Sequence, residues 1–154
     1  MKNQNLQQEI KSLKIVYAGL MSGVLFFTVI AIYLVQSIGG GFIGKDLELM
    51  NTLIIISNVL ALGSISSGIL IFKNKMKGIE AFDLTEKLNR YRTALIIRAA
   101  TMEGPAIFFI ICYLLFGNWV FMVECAIVII FMAVHFPKSS RVAKEISHDI
   151  REFE

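Results

Sequence analysis

Between residues 15 and 38 the chain carries no charged side chain at all. A helix rising about 1.5 Å per residue over that stretch is long enough to cross a hydrocarbon core of roughly 30 Å. Water is a poor solvent for such a segment, so a bilayer is the environment the sequence calls for. Three more apolar blocks follow, at residues 47–72, 92–116 and 119–136. With 56% hydrophobic residues and a mean hydropathy of +0.68, the pattern predicts an all-α integral membrane four-helix bundle, one membrane domain over residues 1–154. The first block is too long for the apolar region of a signal peptide and "QSIGGG" is a weak cleavage site, so it reads as an uncleaved anchor.

Lysine and arginine orient these spans. Lys2, Lys11 and Lys14 precede the first; Lys73, Lys75, Lys77, Lys87, Arg90 and Arg92 lie between the second and third; Lys138, Arg141, Lys144 and Arg151 follow the fourth. Only Lys45 falls on the other side. The positive-inside rule then expects both termini of this multi-pass protein in the cytoplasm. In the middle connection Asp83 and Glu86 form a capping-box-like start for a helix that runs from Leu84 into the third span. After Pro137, Val142, Ile146, Ile150 and Phe153 make one apolar stripe, so residues 139–153 are expected to form an interfacial amphipathic helix, with His148 on its polar flank.

Aligning Ala18 with Ala99 superimposes "AGLMSGVLFFTVIAIYL" on "AATMEGPAIFFIICYLL". Ala18, Met21, Gly23, Phe27, Ile30 and Leu34 then match Ala99, Met102, Gly104, Phe108, Ile111 and Leu115. This register suggests two tandem helical hairpins, although the second and fourth spans show no matching register. The second copy differs where chemistry enters: Arg98 stands against Tyr17, Glu103 against Ser22, and Pro105 against Val24.

Small residues supply the expected packing. Gly19 and Gly23 form a GxxxG pair, and "GSISSG" places Gly63 with Ser67 and Ser64 with Gly68 at the same spacing. The two patches are expected at similar depth, letting the first and second spans approach closely. Asn58, near the middle of the second span, needs a hydrogen-bond partner; Asn51, nearer the surface, can be wetted.

Glu103 lies near the midplane and cannot snorkel out, so it must be protonated, paired or facing water. Arg98 is its nearest cation, but five residues of ideal helix set the two side chains roughly 140° apart. Pro105 removes a hydrogen bond from the Thr101 carbonyl and Gly104 adds freedom, so a kink is expected there, one able to swing Glu103 toward a partner. The pair reads either as a buried ion pair holding register or as a proton or substrate relay. Glu124, near the outer end of the fourth span, reads chiefly as exposed at the interface. Cys112 and Cys125 read as small buried hydrophobes.

The segment "RTALIIRAATMEGPAIFF", with "GN" after the span, resembles a group of small uncharacterised bacterial four-helix membrane proteins. They carry R-T-A-L-I-I-R…E-G-P-A-[IL]-F and end in a proline and a charged tail. The resemblance implies the four-helix fold, a place in a bacterial inner membrane and no established activity. Rotary ATPase proteolipids are similar only locally, at Glu103-Gly104, and lack a matching glycine ladder here. Small multidrug exporters place their glutamate on the first helix, where this chain has Ser22.

With no metal cluster, activated nucleophile or phosphate loop, neither enzymatic activity nor a cofactor is expected. The absence of a basic stripe interleaved with aromatics argues against nucleic acid as a partner. The expected role is a structural or accessory membrane subunit whose partners are the bilayer, a second copy or another membrane protein. The alternative is a small proton-coupled transporter that uses Glu103, with Arg98 tuning it and Asn58 lining the path.

Overall fold

The computed structural model describes residues 2–44 and 46–146. The stripe residues Ile150 and Phe153, together with His148, Lys45 and Arg151, lie outside them. Five α-helices follow in order: α1 (Lys2–Ile38), α2 (Leu47–Met76), α3 (Leu84–Phe116), α4 (Trp119–Val134) and α5 (Ser139–Glu145), with a single 3-10 turn at Ile79–Ala81. Three of these, α1, α2 and α3, are long and apolar enough to cross a membrane. Among the described residues there is no strand. The fourth candidate is shorter: α4 has 16 residues and bends by 76° into α5.

The outside of the bundle is apolar. Phe26, Val29, Leu62 and Ile130 are each more than three-fifths exposed. In water such a surface would drive aggregation, whereas lipid solvates it at no cost. The fold is therefore compatible with a membrane protein.

The central helix is α3, which packs against α1, α2 and α4, while α4 also touches α1 and α2. Its start follows from the sequence, since Asp83 accepts a hydrogen bond from the Glu86 backbone N–H at 2.9 Å. Glu86 itself pairs with Arg90 at 3.1 Å on the exposed side, rather than closing a capping box. At the far end Gly117 adopts the left-handed conformation, φ 66°, that terminates helices. Between these ends α3 runs without interruption through Gly104 and Pro105, so the expected kink does not break it. Proline costs a helix one backbone bond, a loss that packed membrane helices tolerate.

Two expectations are corrected. First, α1 and α2 share at most marginal contact, so the first tandem hairpin does not close as a packed pair. Their connection instead crosses the end of α3, where the Phe42 and Ile43 N–H groups donate to the Leu114 and Leu115 carbonyls at 3.0 and 2.9 Å. Gly41 makes that crossing possible, because a Cβ there would lie 2.4 Å from the Leu115 carbonyl oxygen. Second, the small residues of α1 and α2 do not meet. Around Gly19, Gly23 and Gly63 a Cβ would find nothing within 4 Å. Gly68 packs against α3, closest to Met102, Thr101 and Arg98, and Ser64 is buried on the same stripe. Ser67 stays half-buried, bonded to the Ser64 carbonyl.

The register of the repeat reappears in burial. The buried stripe of α1 is Ile10, Leu13, Tyr17, Val24, Ala31 and Val35. At the same offset α3 presents Tyr91, Ala94, Arg98, Pro105, Cys112 and Phe116, all buried except Pro105. Sevenfold spacing at positions 10, 17, 24 and 31 is a coiled-coil seam, as expected for two helices packed side by side.

Gly41→Ala is expected to destabilise the fold by about 1–3 kcal/mol, because the new methyl meets backbone that cannot yield. Gly63→Ala, in open surroundings, should leave stability unchanged or slightly raised. Thermal unfolding of both variants in detergent separates the two cases.

Candidate functional site

Polar chemistry inside the bundle collects at two levels. The first is the C-terminal end of α4. A helix of 16 residues spans only about 24 Å, and its last carbonyls lie beside α1, α3 and α5, which supply donors to them. The Tyr17 hydroxyl of α1 donates to the Met132 carbonyl at 2.9 Å. An Arg98 Nη2 of α3 reaches the His135 carbonyl at 3.5 Å, and the Arg141 guanidinium of α5 donates to the Val134 carbonyl. The backbone N–H groups of His135, Phe136 and Lys138 serve the Phe131, Ala133 and Phe136 carbonyls. Every carbonyl from Phe131 to Phe136 thereby has a donor, and two of those donors are cations at the negative end of the helix dipole.

Arg98 belongs to this cap. It is 3% exposed, and its guanidinium lies 4.1 Å over the Phe72 ring of α2, a cation–π contact. It therefore joins α2, α3 and α4 and makes no ion pair with Glu103. Beside it the Tyr91 hydroxyl and one Glu145 carboxylate oxygen are buried; they are near enough to interact electrostatically, but neither completes a well-formed hydrogen bond.

The second level is nearer the opposite end, where all four long helices contribute. Glu124 of α4 is 6% exposed, and its Oε1 accepts from the Ser57 hydroxyl of α2 at 2.9 Å. Its Oε2 is buried without a hydrogen-bond partner. Cys112 of α3 lies within electrostatic reach of the carboxylate, and Cys125 of α4 approaches the Thr28 hydroxyl of α1 at 3.7 Å. Interfacial exposure of Glu124 is thus overturned: the face that carries Phe121, Glu124, Cys125 and Val128 turns into the core. Both cysteines are buried and free.

Glu103 is elsewhere. It is half-buried on α3, next in the helical lattice to Ala100, Gly104 and Ile107, which are exposed. No hydrogen bond or ion pair joins it to a described residue, the one ion pair among these being Arg90 with Glu86. Asn58 is exposed and returns its amide to the Ile54 carbonyl of its own helix at 2.8 Å, so it does not line a path with Glu103. The four polar candidates therefore divide among three places: Arg98 in the cap, Glu124 in the core, and Glu103 and Asn58 on outward faces.

Ser57 and Tyr17 escaped the sequence reading. The signal for Ser57 is the stripe Ser57, Ser64, Gly68, Phe72, whose spacings of seven, four and four define one buried face of α2. Tyr17 stands opposite Arg98 in the repeat register, and both deliver a donor to the end of α4. Among the described residues no group of three metal-ligating side chains comes together. Comparison with family models, with curated proteins and with solved structures finds no match.

Arg98→Met is expected to cost about 1–3 kcal/mol, because it leaves the His135 carbonyl without its donor and Phe72 without its cation. Glu103→Gln, which removes no hydrogen bond or ion pair among the described residues, should change stability by less than about 0.5 kcal/mol. Detergent unfolding curves compare them directly. For the buried pair, a double-mutant cycle of Ser57→Ala and Glu124→Gln should return a coupling of about 0.5–1.5 kcal/mol, whereas strict additivity would show that the hydroxyl and carboxylate act independently.

Proposed function

We propose that this chain is a non-enzymatic subunit of a bacterial inner-membrane assembly, with its basic end in the cytoplasm, joined laterally to its partner through the outward face of α3. One observation carries the reading: Glu103 lies in the interior of α3, half-buried, with no partner among the described residues. A carboxylate at that depth is costly in lipid unless it is protonated or met by a donor. The in-chain cation that the sequence offered, Arg98, is committed to the α4 cap. Gly104 beside it presents bare backbone with open space above, which lets a second helix approach closely. A donor on that second helix, from another copy or a different membrane protein, satisfies Glu103.

The basic clusters at residues 73–92 and 138–144, on the end where α1 begins, support this orientation. Cross-linking in native membranes from a cysteine at position 104 should trap the chain with its partner, and Glu103→Leu should reduce the trapped fraction several-fold. Recovery of an uncross-linked monomer from native membranes would remove the proposal.

A second reading is favoured by a different observation. The buried Glu124 carboxyl, held by Ser57 with one oxygen unpartnered, has the environment of a group that carries a proton in a small transporter. In this form Glu124 takes the role first assigned to Glu103, and neither Arg98 nor Asn58 takes part. Proton flux in proteoliposomes should fall at least tenfold in Glu124→Gln and stay unchanged in Glu103→Gln. Equal flux in wild type and Glu124→Gln would exclude this role, and labelling by a hydrophobic carbodiimide would identify which carboxyl titrates.

A further inference from the structure

At the basic end of the bundle a cavity of about 270 Å³ opens between α1 and the start of α5, lined by Gln7, Ile10, Lys11, Lys14 and Ser139. Lys14 immediately precedes the charge-free stretch of α1, so the cavity stands where a bilayer places its headgroups. The Lys14 ammonium donates to the Ser139 hydroxyl at 2.9 Å and holds the two elements together across the opening. No carboxylate pairs with Lys11 or Lys14 among the described residues. Glu9, one face away on α1, borders a separate depression with Gln8, Ser12 and Arg92.

We infer that this cavity binds the phosphate diester headgroup of an anionic phospholipid. Two ammonium groups at one edge of the bundle offer positive charge and hydrogen-bond donors to a phosphate, and the Ser139 hydroxyl, which accepts from Lys14, can donate its own hydrogen to the same group. The Ile10 side chain, 3% exposed, gives the cavity an apolar wall against which the glycerol of the headgroup can lie, while the acyl chains run the other way, along α1 beyond Lys14. A volume several times the roughly 30 Å³ of one water admits a phosphate with its glycerol. Lys138 and Lys144 on the same end add to the positive field that draws an anionic lipid rather than a zwitterionic one. A headgroup seated here bridges α1 to α5, and α5 carries the Arg141 that donates to the Val134 carbonyl of α4. Lipid binding therefore stabilises the helix-end cap from outside the bundle.

The test is native mass spectrometry of the full chain in detergent micelles doped with phosphatidylglycerol or phosphatidylcholine, with thermal unfolding in parallel. Phosphatidylglycerol should be retained and should raise the unfolding temperature, while phosphatidylcholine does neither. Lys11→Gln with Lys14→Gln should weaken retention by about fivefold per lysine removed. Ser139→Ala, a smaller change, should weaken it too, whereas Lys75→Gln with Lys77→Gln should not. Equal retention of both lipids, or undiminished retention in both the double lysine variant and Ser139→Ala, would overturn the site. Displacement of the lipid by millimolar inorganic phosphate, with the same stabilisation, would show that a soluble phosphate is the ligand and overturn the lipid assignment.

Discussion

The short fourth helix sets the terms for the rest of the molecule. A helix that ends short leaves its last carbonyls without intrahelical partners, and in this chain each receives a hydrogen bond from another element or from the backbone that follows. Here the donors come from α1 through Tyr17, from α3 through Arg98 and from α5 through Arg141, with the following backbone turning back to supply the others. The cap thus fixes the depth of three helices relative to α4 and explains why α5 folds across the bundle at 76° rather than continuing the span. It also gives Arg98 a structural reason to be in an apolar helix: stacked on Phe72, it puts a cation at the end of the bundle where the helix dipole is negative.

The same constraint acts at the opposite end. The last carbonyls of α3 are met by the loop that joins α1 to α2, and the absence of a side chain at Gly41 lets that loop come close enough to donate. A connection that crosses the end of α3 keeps α1 and α2 apart, so Gly19 and Gly23 of α1 face open space among the described residues. The close approach that small residues permit is used instead between α2 and α3, at Gly68. There a Cβ on Gly68 would lie 2.7 Å from the Met102 Cε, so the missing side chain is what lets Met102 pack against the α2 backbone.

The two intramembrane glutamates show how burial separates roles that sequence treats alike. Glu124 turns inward and is held by a hydroxyl from α2, within a polar level to which every long helix contributes. Glu103 turns toward the surface, away from the only nearby cation. A carboxyl in the first position is met by the chain itself, and one in the second is met by no described residue. The subunit and transporter readings rest on these two different residues, so either can stand without the other.

Much of the architecture was legible from the sequence. The apolar blocks located the long helices, Asp83 marked the start of α3, and Gly117-Asn118 marked the turn that follows it. These are consequences of hydropathy and helical period, which act locally along the chain. The sequence did not show that α4 ends early, that α1 and α2 stand apart, that Gly68 packs on α3 or that Arg98 turns to the end of α4 while Glu103 lies on an outward face. Each of these depends on where helices lie relative to one another. Hydropathy says that a residue must leave water, while only the packed bundle decides which neighbour satisfies it.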